Sequence, residues 1–537
     1  MMTENRNPWP ILLVTVLGFF MIMLDTTIVY VATPSILSNL HASLDAVLWV
    51  FNGYLLTYAV LLITAGRLGD LFGPRQMFAA GLVLFTLASA LCGLSQDATQ
   101  LIAARVLQGV GGAMLAPQTL PIMMAVFPPE RRGAAFGVNG AVIGISTVAG
   151  PTLGGLIVTN WDWRWIFFLN VPVGIAALVG TFAIIPDIRH GARPRFDVVG
   201  VLLASASLFA IVYGLIEGQR YDWGTITGWL SIPLVIAAGV VLLGVFLVWE
   251  QFQADPLLPM SVFRNRNFSI MNGIGAAIAF AMQGIFIPFT IYTQSVLGMT
   301  PLVSGLTFAP MSATSGVLSP FVGRVVDRIG GKYLLMIGLT LFGVGAAITT
   351  LLATTGSSFW TFLPSMVLTG IGMGMIFPPM ITLAMRDVPQ RMAGASSGVL
   401  NTTRQLGSAI GAAAVGAVLQ NRLAVSLHDQ AVKASAQLPE QARAPFVNGF
   451  TQAAKSGLQV GRGQNGAQLP KGLPAQLIAQ LQQLTHDVFV NGYVSAMRPT
   501  IAVAIVVLAV AAASCVFIIN RGGARRAEPV VPEAAIA

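Results

Sequence analysis

The chain has 537 residues, 55% hydrophobic and 9% charged, against about 25% charged in an ordinary soluble domain. Its formal charge of +9 does not point to nucleic acid, because the basic residues stand singly or in pairs between apolar runs, as a membrane topology signal places them. The two cysteines, Cys92 and Cys515, lie inside apolar runs and read as small buried hydrophobes without a disulfide.

The apolar runs are roughly 20 residues long, the length of a bilayer-crossing helix. In lipid the backbone must satisfy its own hydrogen bonds, so each run is expected to be helical. After Arg6, the stretch from Ile11 to about Thr33 is too long for a signal-peptide core and has no small-residue cleavage site, so it reads as the first span. Spans follow in chain order at about 47–66, 77–95, 100–125, 134–158, 165–185, 198–217, 229–249, 270–293, 302–323, 333–352, 360–384, 394–420 and 498–520, fourteen in all. Segment 421–497, Ala/Gln-rich with scattered Gly and Pro, is expected to be a partly helical extracytoplasmic excursion, since stretches such as Ala475–Val488 have helical periodicity; a flexible linker is the alternative.

With the N-terminus inside, the short inner segments carry 18 basic residues and the short outer loops only Arg164 and Arg220. That asymmetry places both termini in the cytoplasm of a multi-pass inner-membrane protein. All nine tryptophans fall near predicted span ends, as an aromatic belt requires.

The chain repeats itself. Gly66-Arg-Leu-Gly-Asp70-Leu-Phe-Gly73-Pro-Arg75 follows span two, and Gly323-Arg-Val-Val-Asp327-Arg-Ile-Gly330-Gly-Lys332 follows span ten, an offset of 257. Pro128…Gly133…Gly137 matches Pro389…Gly394…Gly398 at an offset of 261. Two matches at nearly one offset imply an all-α protein of two parallel six-helix halves, 11–185 and 270–520, with two inserted helices at 198–249. Duplicated halves around a midplane site are a common build of secondary transporters.

Ionisable residues inside spans are costly and therefore informative. Asp25 lies within span one, about eight residues or roughly 12 Å from its outer end. Arg105 lies in span four, about five residues or roughly 8 Å from that side, so the two are expected to meet in the outer half of the first domain. A carboxylate that swaps between a cation and an apolar cavity can load and release a proton; a static ion pair that orients helices is the alternative. Glu217, at the outer end of span seven, is a further candidate for proton coupling, although its interfacial position also suits a structural role. The Asp of each repeated loop sits at a span end, where it can pair with an Arg or a helix N-terminus and latch one gating state; Gly66, Asp70, Arg75 and Asp327 are the gating candidates there. Span five adds Gly150 and Pro151, in Ser146-x₃-Gly150-Pro151-x₂-Gly154-Gly155, where small residues permit close helix approach and Pro bends the helix. A substrate pocket between the halves is expected from Tyr54, Tyr58, Gln108, Gln283, Phe286, Asn401 and Arg404, an apolar site with a few polar groups.

Enzymatic chemistry and cofactors are not expected. Gly331-Lys332 is followed by Tyr333 and lacks P-loop spacing, and the four histidines (His41, His190, His428, His486) fall far apart in predicted loops.

These motifs resemble the major facilitator superfamily, specifically its 14-span drug:proton antiporter family of the EmrB/QacA type, over nearly all of 11–420 and 498–520. The loop at 66–75 and Arg105…Gln108-Gly109 resemble superfamily motifs. Gly150-Pro151…Gly154-Gly155 is similar to the antiporter motif, and Leu24-Asp25-Thr-Thr-Ile-Val and Trp163-Arg164-Trp165-Ile-Phe-Phe-Leu-Asn170-Val-Pro172 to subfamily motifs. The resemblance implies a proton-coupled antiporter that exports small lipophilic or cationic compounds, with Asp25 coupling the proton, Arg105 supporting it and Asp70 gating. Its implied partners are those substrates, protons and membrane lipid, with no nucleic acid; the chain is expected to act as a monomer. Tyr30 stands where the family commonly has Asn, and Ser146 where it commonly has Gly. An exporter dedicated to one metabolite, such as an antibiotic, lipid or amino acid, is the rival within transport; a non-transporting membrane sensor is the rival outside it.

Overall fold

A computed structural model describes residues 7–40, 44–187, 197–218, 220–253, 255–455 and 475–519. The fold is almost entirely helical. The first group is α1 (Trp9–Asn39), α2 (Leu44–Phe72), α3 (Pro74–Leu94), α4 (Ala98–Leu115), α5 (Thr119–Val126), α6 (Arg132–Asn160), α7 (Trp165–Phe168) and α8 (Asn170–Ile184), with α5 continuing α4 after a 3₁₀ turn. Next come α9 (Val198–Glu217) and α10 (Ile232–Gln251), joined through a small antiparallel hairpin of β1 (Thr225–Thr227) and β2 (Leu230–Ser231). The second group is α11 (Arg266–Ile291), α12 (Pro301–Leu306), α13 (Ala309–Ile329), α14 (Lys332–Leu352), α15 (Phe359–Gly374), α16 (Phe377–Met385), α17 (Ala393–Ser435), α18 (Glu440–Lys455) and α19 (Ala475–Ser514).

Local chemistry sets these boundaries. Asp97 caps α4 by accepting from Gln100 N–H at 2.9 Å, and Asp197 caps α9 by accepting from Gly200 N–H at 2.8 Å. Gly73 (φ 96°) and Gly330 (φ 86°) make the turns after α2 and α13, in a backbone region that side chains rarely adopt. They stand at the same place in the two copies of the repeated loop.

Twelve helical stretches among the described residues are long and apolar enough to cross a membrane. α6 and α13 pack along each other inside the bundle, and with them the architecture is compatible with fourteen crossings. Large apolar side chains are exposed on the outer faces, such as Leu202, Val241, Val245 and Val317, where a bilayer would cover them. α9 lies against α2 and α17, and α10 lies against α9. Cys92 and Cys515 are buried free thiols, as expected.

Segment 421–497 departs from a simple loop. α17 runs on to Ser435, and its Leu419, Leu423, Leu427 and Ala431 form a buried stripe at four-residue spacing. Phe446 and Phe450 of α18 and Leu481, Leu484 and Val488 of α19 belong to the same apolar core. The described part of the segment is therefore largely helical, as the partly helical reading expects; 456–474 lie outside the described residues. His428 and His486, expected in loops, sit on α17 and α19 of this extension, because the helices continue past the apolar runs that marked them; His41 and His190 lie outside the described residues.

Close helix crossings rest on glycine. A Cβ at Gly411 of α17 would lie 2.6 Å from Phe280 Cα and 2.7 Å from its carbonyl oxygen, both backbone atoms of α11. Gly411→Val is expected to separate α17 from α11 and lower the melting temperature in detergent by several degrees, since overpacking costs about 1–3 kcal/mol. Gly273→Val, at a position with nothing within 4 Å, is the control. Equal melting of both variants would show that the crossing tolerates a side chain.

Candidate functional site

Asp25 is fully buried midway along α1. Its carboxylate forms an ion pair with Arg105 Nη1 from α4. Gln108 Nε2 donates to Oδ1 at 2.9 Å, and Asn170 Nδ2, at the start of α8, donates to the same oxygen at 3.0 Å. Arg105 also donates from Nη1 to Gln108 Oε1 at 2.6 Å and from Nε to the Val50 carbonyl at 3.1 Å. Its guanidinium carbon sits 4.2 Å from the centroid of the Tyr54 ring. Ser89 Oγ accepts from Asn170 at 3.0 Å and donates to the Phe167 carbonyl at 2.9 Å, closing the shell. A buried charge needs such a set of donors. Gln108, expected to touch substrate, is instead a donor to Asp25. Asn170 and Ser89 complete a shell that charge alone did not point to; the signal for Asn170 was an amide in the apolar run that opens α8.

Glu217 is not part of this network. It ends α9 and pairs with Arg220 three residues on, at 3.2 Å.

The repeated loops meet crosswise. Asp70 of α2 accepts from Gly394 N–H and Ala395 N–H, both at 2.9 Å, at the first turn of α17. Asp327 of α13 accepts from Gly133 N–H at 2.8 Å and Ala134 N–H at 3.1 Å, at the first turn of α6. The two repeats noted in the sequence are therefore each other's partners: each loop seats on the helix start from the other end of the chain. Gly66 and Gly323 make this possible, since a Cβ at either would collide with the carbonyl of Gly394 or Gly133. The expected helix N-terminus is the partner in both cases. Arg75 stays out of the latch. It donates from Nη2 to the Phe182 carbonyl at 2.8 Å and so holds α3 to the end of α8.

Gly150 lets α6 close on α1, since Thr27 occupies the space a Cβ would take, and Thr27 Oγ1 donates to the Ser146 carbonyl at 3.3 Å. Ser146 Oγ donates back to Val142 at 2.7 Å. The side chains of Pro151 and Tyr30 lie outside the described residues.

The expected pocket residues separate. Tyr54 and Tyr58 stack at 5.9 Å and 10° beside the Asp25 network. Asn401 and Arg404 of α17 line a cavity of about 40 Å³ between α1, α5, α6, α11, α16 and α17, with Phe19, Thr119, Asn139 and Met380. Phe286 packs away from it, in an aromatic cluster with Phe308 (5.2 Å) that extends through Phe289 to Phe362. Gln283, on the same helix, does not line this cavity either.

The fold is thus a helical bundle with a buried carboxylate network and a small cavity lined by helices of both its halves. The family model for the Major Facilitator Superfamily matches residues 15–412, and the chain belongs to that superfamily. It is 36% identical to the tetracenomycin C resistance and export protein of Streptomyces glaucescens, over 94% of this chain and 91% of the relative. It is 35% identical to the multidrug resistance protein Stp of Mycobacterium tuberculosis, over 79% of this chain and 78% of the relative. Among solved structures, a proton:xylose symporter of the superfamily, XylE, shares the fold at TM-score 0.54 and 15% identity, covering 83% of this chain and 94% of its own. The chain is thus a multi-pass transporter of the drug-efflux branch, and not an enzyme.

Proposed function

We propose that this protein is a proton-coupled antiporter of the plasma membrane that exports small lipophilic compounds by alternating access. The observation that carries the reading is Asp25, a carboxylate buried in mid-bundle and held by three side-chain donors from α4 and α8. Its partners sit on separate helices, so a change in their packing changes the cost of the charged form, which is what proton exchange requires. The crosswise loops supply a bistable closure: two carboxylates on helix starts hold one end of the bundle shut, and breaking both opens it. Residues 11–185 and 270–520 act as the two rocking halves, with the inserted pair at 198–249 braced on α2 and α17. The termini and latch loops lie in the cytoplasm, and the latched form faces outward. Export of several unrelated compounds and export of one metabolite are both represented among the named relatives.

The test is a resistance panel in an efflux-deficient host. Expression is expected to raise the inhibitory concentration of several lipophilic antibiotics and dyes by about fourfold or more, and an uncoupler should abolish the effect. Resistance confined to one compound would make the protein a dedicated exporter. No change across the panel, with the protein present in the membrane, would overturn the export reading.

A further inference from the structure

Arg404 lies in the central cavity with its charge unanswered. Its Nη2 donates to Asn401 Oδ1 at 3.1 Å, and among the described residues it has no carboxylate partner. Arginine keeps its proton, so the charge cannot be relieved by titration. The other described carboxylates are committed or distant. Asp25 is held by Arg105, Gln108 and Asn170; Asp70 and Asp327 sit on the helix starts of α17 and α6; Glu217 pairs with Arg220. The rest lie at helix ends, in loops or on the α17–α19 extension. Arg404 is half-buried, and a cation without a counterion inside a spanning helix is costly there; transporters place such groups on substrate pathways.

The surroundings add hydrogen-bonding capacity. Asn139, which lines the cavity, has a buried Oδ1 without a hydrogen-bond partner among the described residues, and Tyr58, just outside the lining and within electrostatic reach of Arg404, has a buried hydroxyl likewise without one. Phe19 and Met380 face the same space. A cavity of about 40 Å³ takes an anionic head group and not a drug-sized body, which must enter as the helices part. A cationic solute here would meet Arg404 as a like charge.

We propose that Arg404 is the receptor for an anionic group, so that the exported solutes are aromatic or apolar amphiphiles bearing a carboxylate or an ionised phenol. This rests on the export reading above and narrows the expectation of lipophilic or cationic substrates. The same chemistry would hold a lipid phosphate, and the experiment separates the two.

The probes are one pyrene scaffold with three heads: pyrenebutyrate, its amide, and pyrenebutylamine. Binding and efflux are measured with purified protein in phosphatidylcholine liposomes under an imposed proton gradient. Wild type is expected to bind and export pyrenebutyrate, with affinity on the order of tenfold or more above the amide and amine, the range of a charge-assisted hydrogen bond. Arg404→Gln should lose that preference while still exporting the amide, and Arg404→Lys should keep part of it. Equal affinity for the three probes, or a preference for the amine that Arg404→Gln leaves unchanged, would overturn the proposal while leaving export intact. If no probe is bound or moved while the resistance panel still shows export, the inference fails and the export reading stands; no export in either assay removes both. In phosphatidylglycerol liposomes pyrenebutyrate affinity should be unchanged. A loss there that Arg404→Gln removes would put lipid phosphate in the site and overturn the solute assignment.

Discussion

Asp25→Asn is expected to insert into the membrane and still bind substrate, yet to carry out no proton-driven efflux. The carboxylate sits among Arg105 Nη1, Gln108 Nε2 and Asn170 Nδ2, all donors. An amide there offers one acceptor and turns an NH₂ toward donors, and it cannot exchange a proton. The arginine loses its counterion, which in a buried pair costs about 3–5 kcal/mol. Part of that is offset, because Arg105 keeps the Val50 carbonyl at 3.1 Å, Gln108 Oε1 at 2.6 Å and the face of Tyr54. Membrane abundance and melting temperature therefore accompany the transport assay, and Asp25→Glu, which keeps the proton, should retain part of the activity. The energy required is modest: one charge crossing 100 mV releases about 2.3 kcal/mol, enough for a gradient of order fiftyfold at about 1.4 kcal/mol per tenfold. The measurement is substrate-induced proton movement in proteoliposomes. Equal flux in wild type and Asp25→Asn would place the coupling elsewhere, with Glu217 the next carboxylate to examine.

Much of this was legible in the sequence because lipid imposes severe rules. Runs of about 20 apolar residues can only be helices there, and a charge such as Asp25 or Arg105 within one stands out against them. Their meeting followed from depth alone. The contributions of Asn170, Ser89 and Gln108 did not, since neutral amides and hydroxyls carry no insertion penalty large enough to mark them. The repeats were visible as repeats, but their crosswise pairing was not. Asp70 and Asp327 bind backbone amides, which leave no trace in residue identity beyond the glycines at Gly133 and Gly394. Arg75 looked like part of the latch because it is adjacent in sequence; the turn at Gly73 carries it onto α3 and toward Phe182. Phe286 looked like a pocket residue because it is aromatic in an apolar helix, a description that fits core packing equally well. The extension of α17 was hidden by falling hydropathy, although the four-residue spacing from Leu419 to Ala431 continues across the drop.

Replacing both latch carboxylates, in Asp70→Asn/Asp327→Asn, is expected to open the latched end of the bundle and to cut export at least tenfold with protein levels intact. Each carboxylate accepts two backbone N–H bonds at a helix start, between 2.8 and 3.1 Å. A charge-assisted bond contributes about 1.5–3 kcal/mol, and the helix N-terminus adds a further 0.3–1 kcal/mol or so. An asparagine keeps one acceptor, turns a donor toward the second N–H and removes the charge, so each single variant should lose about 2 kcal/mol of latch. That is roughly a thirtyfold shift between the closed and open forms at that end. The two sites lie on different helix pairs, α2 with α17 and α13 with α6, so their effects should nearly add, to about 4 kcal/mol in the double variant. A latch held by a few kcal/mol per side is one that substrate and proton binding can break, which is why its loss should trap the cycle rather than unfold the chain. The reading comes from spin labels on cysteines introduced at the exposed Arg131 and Tyr333, near the first turns of α6 and α14; the native Cys92 and Cys515 are buried. Wild type should give one short distance, each single variant a mixture, and the double variant chiefly the long distance. A single short distance in the double variant would mean that apolar packing between α6 and α13, and not the two carboxylates, holds this end closed.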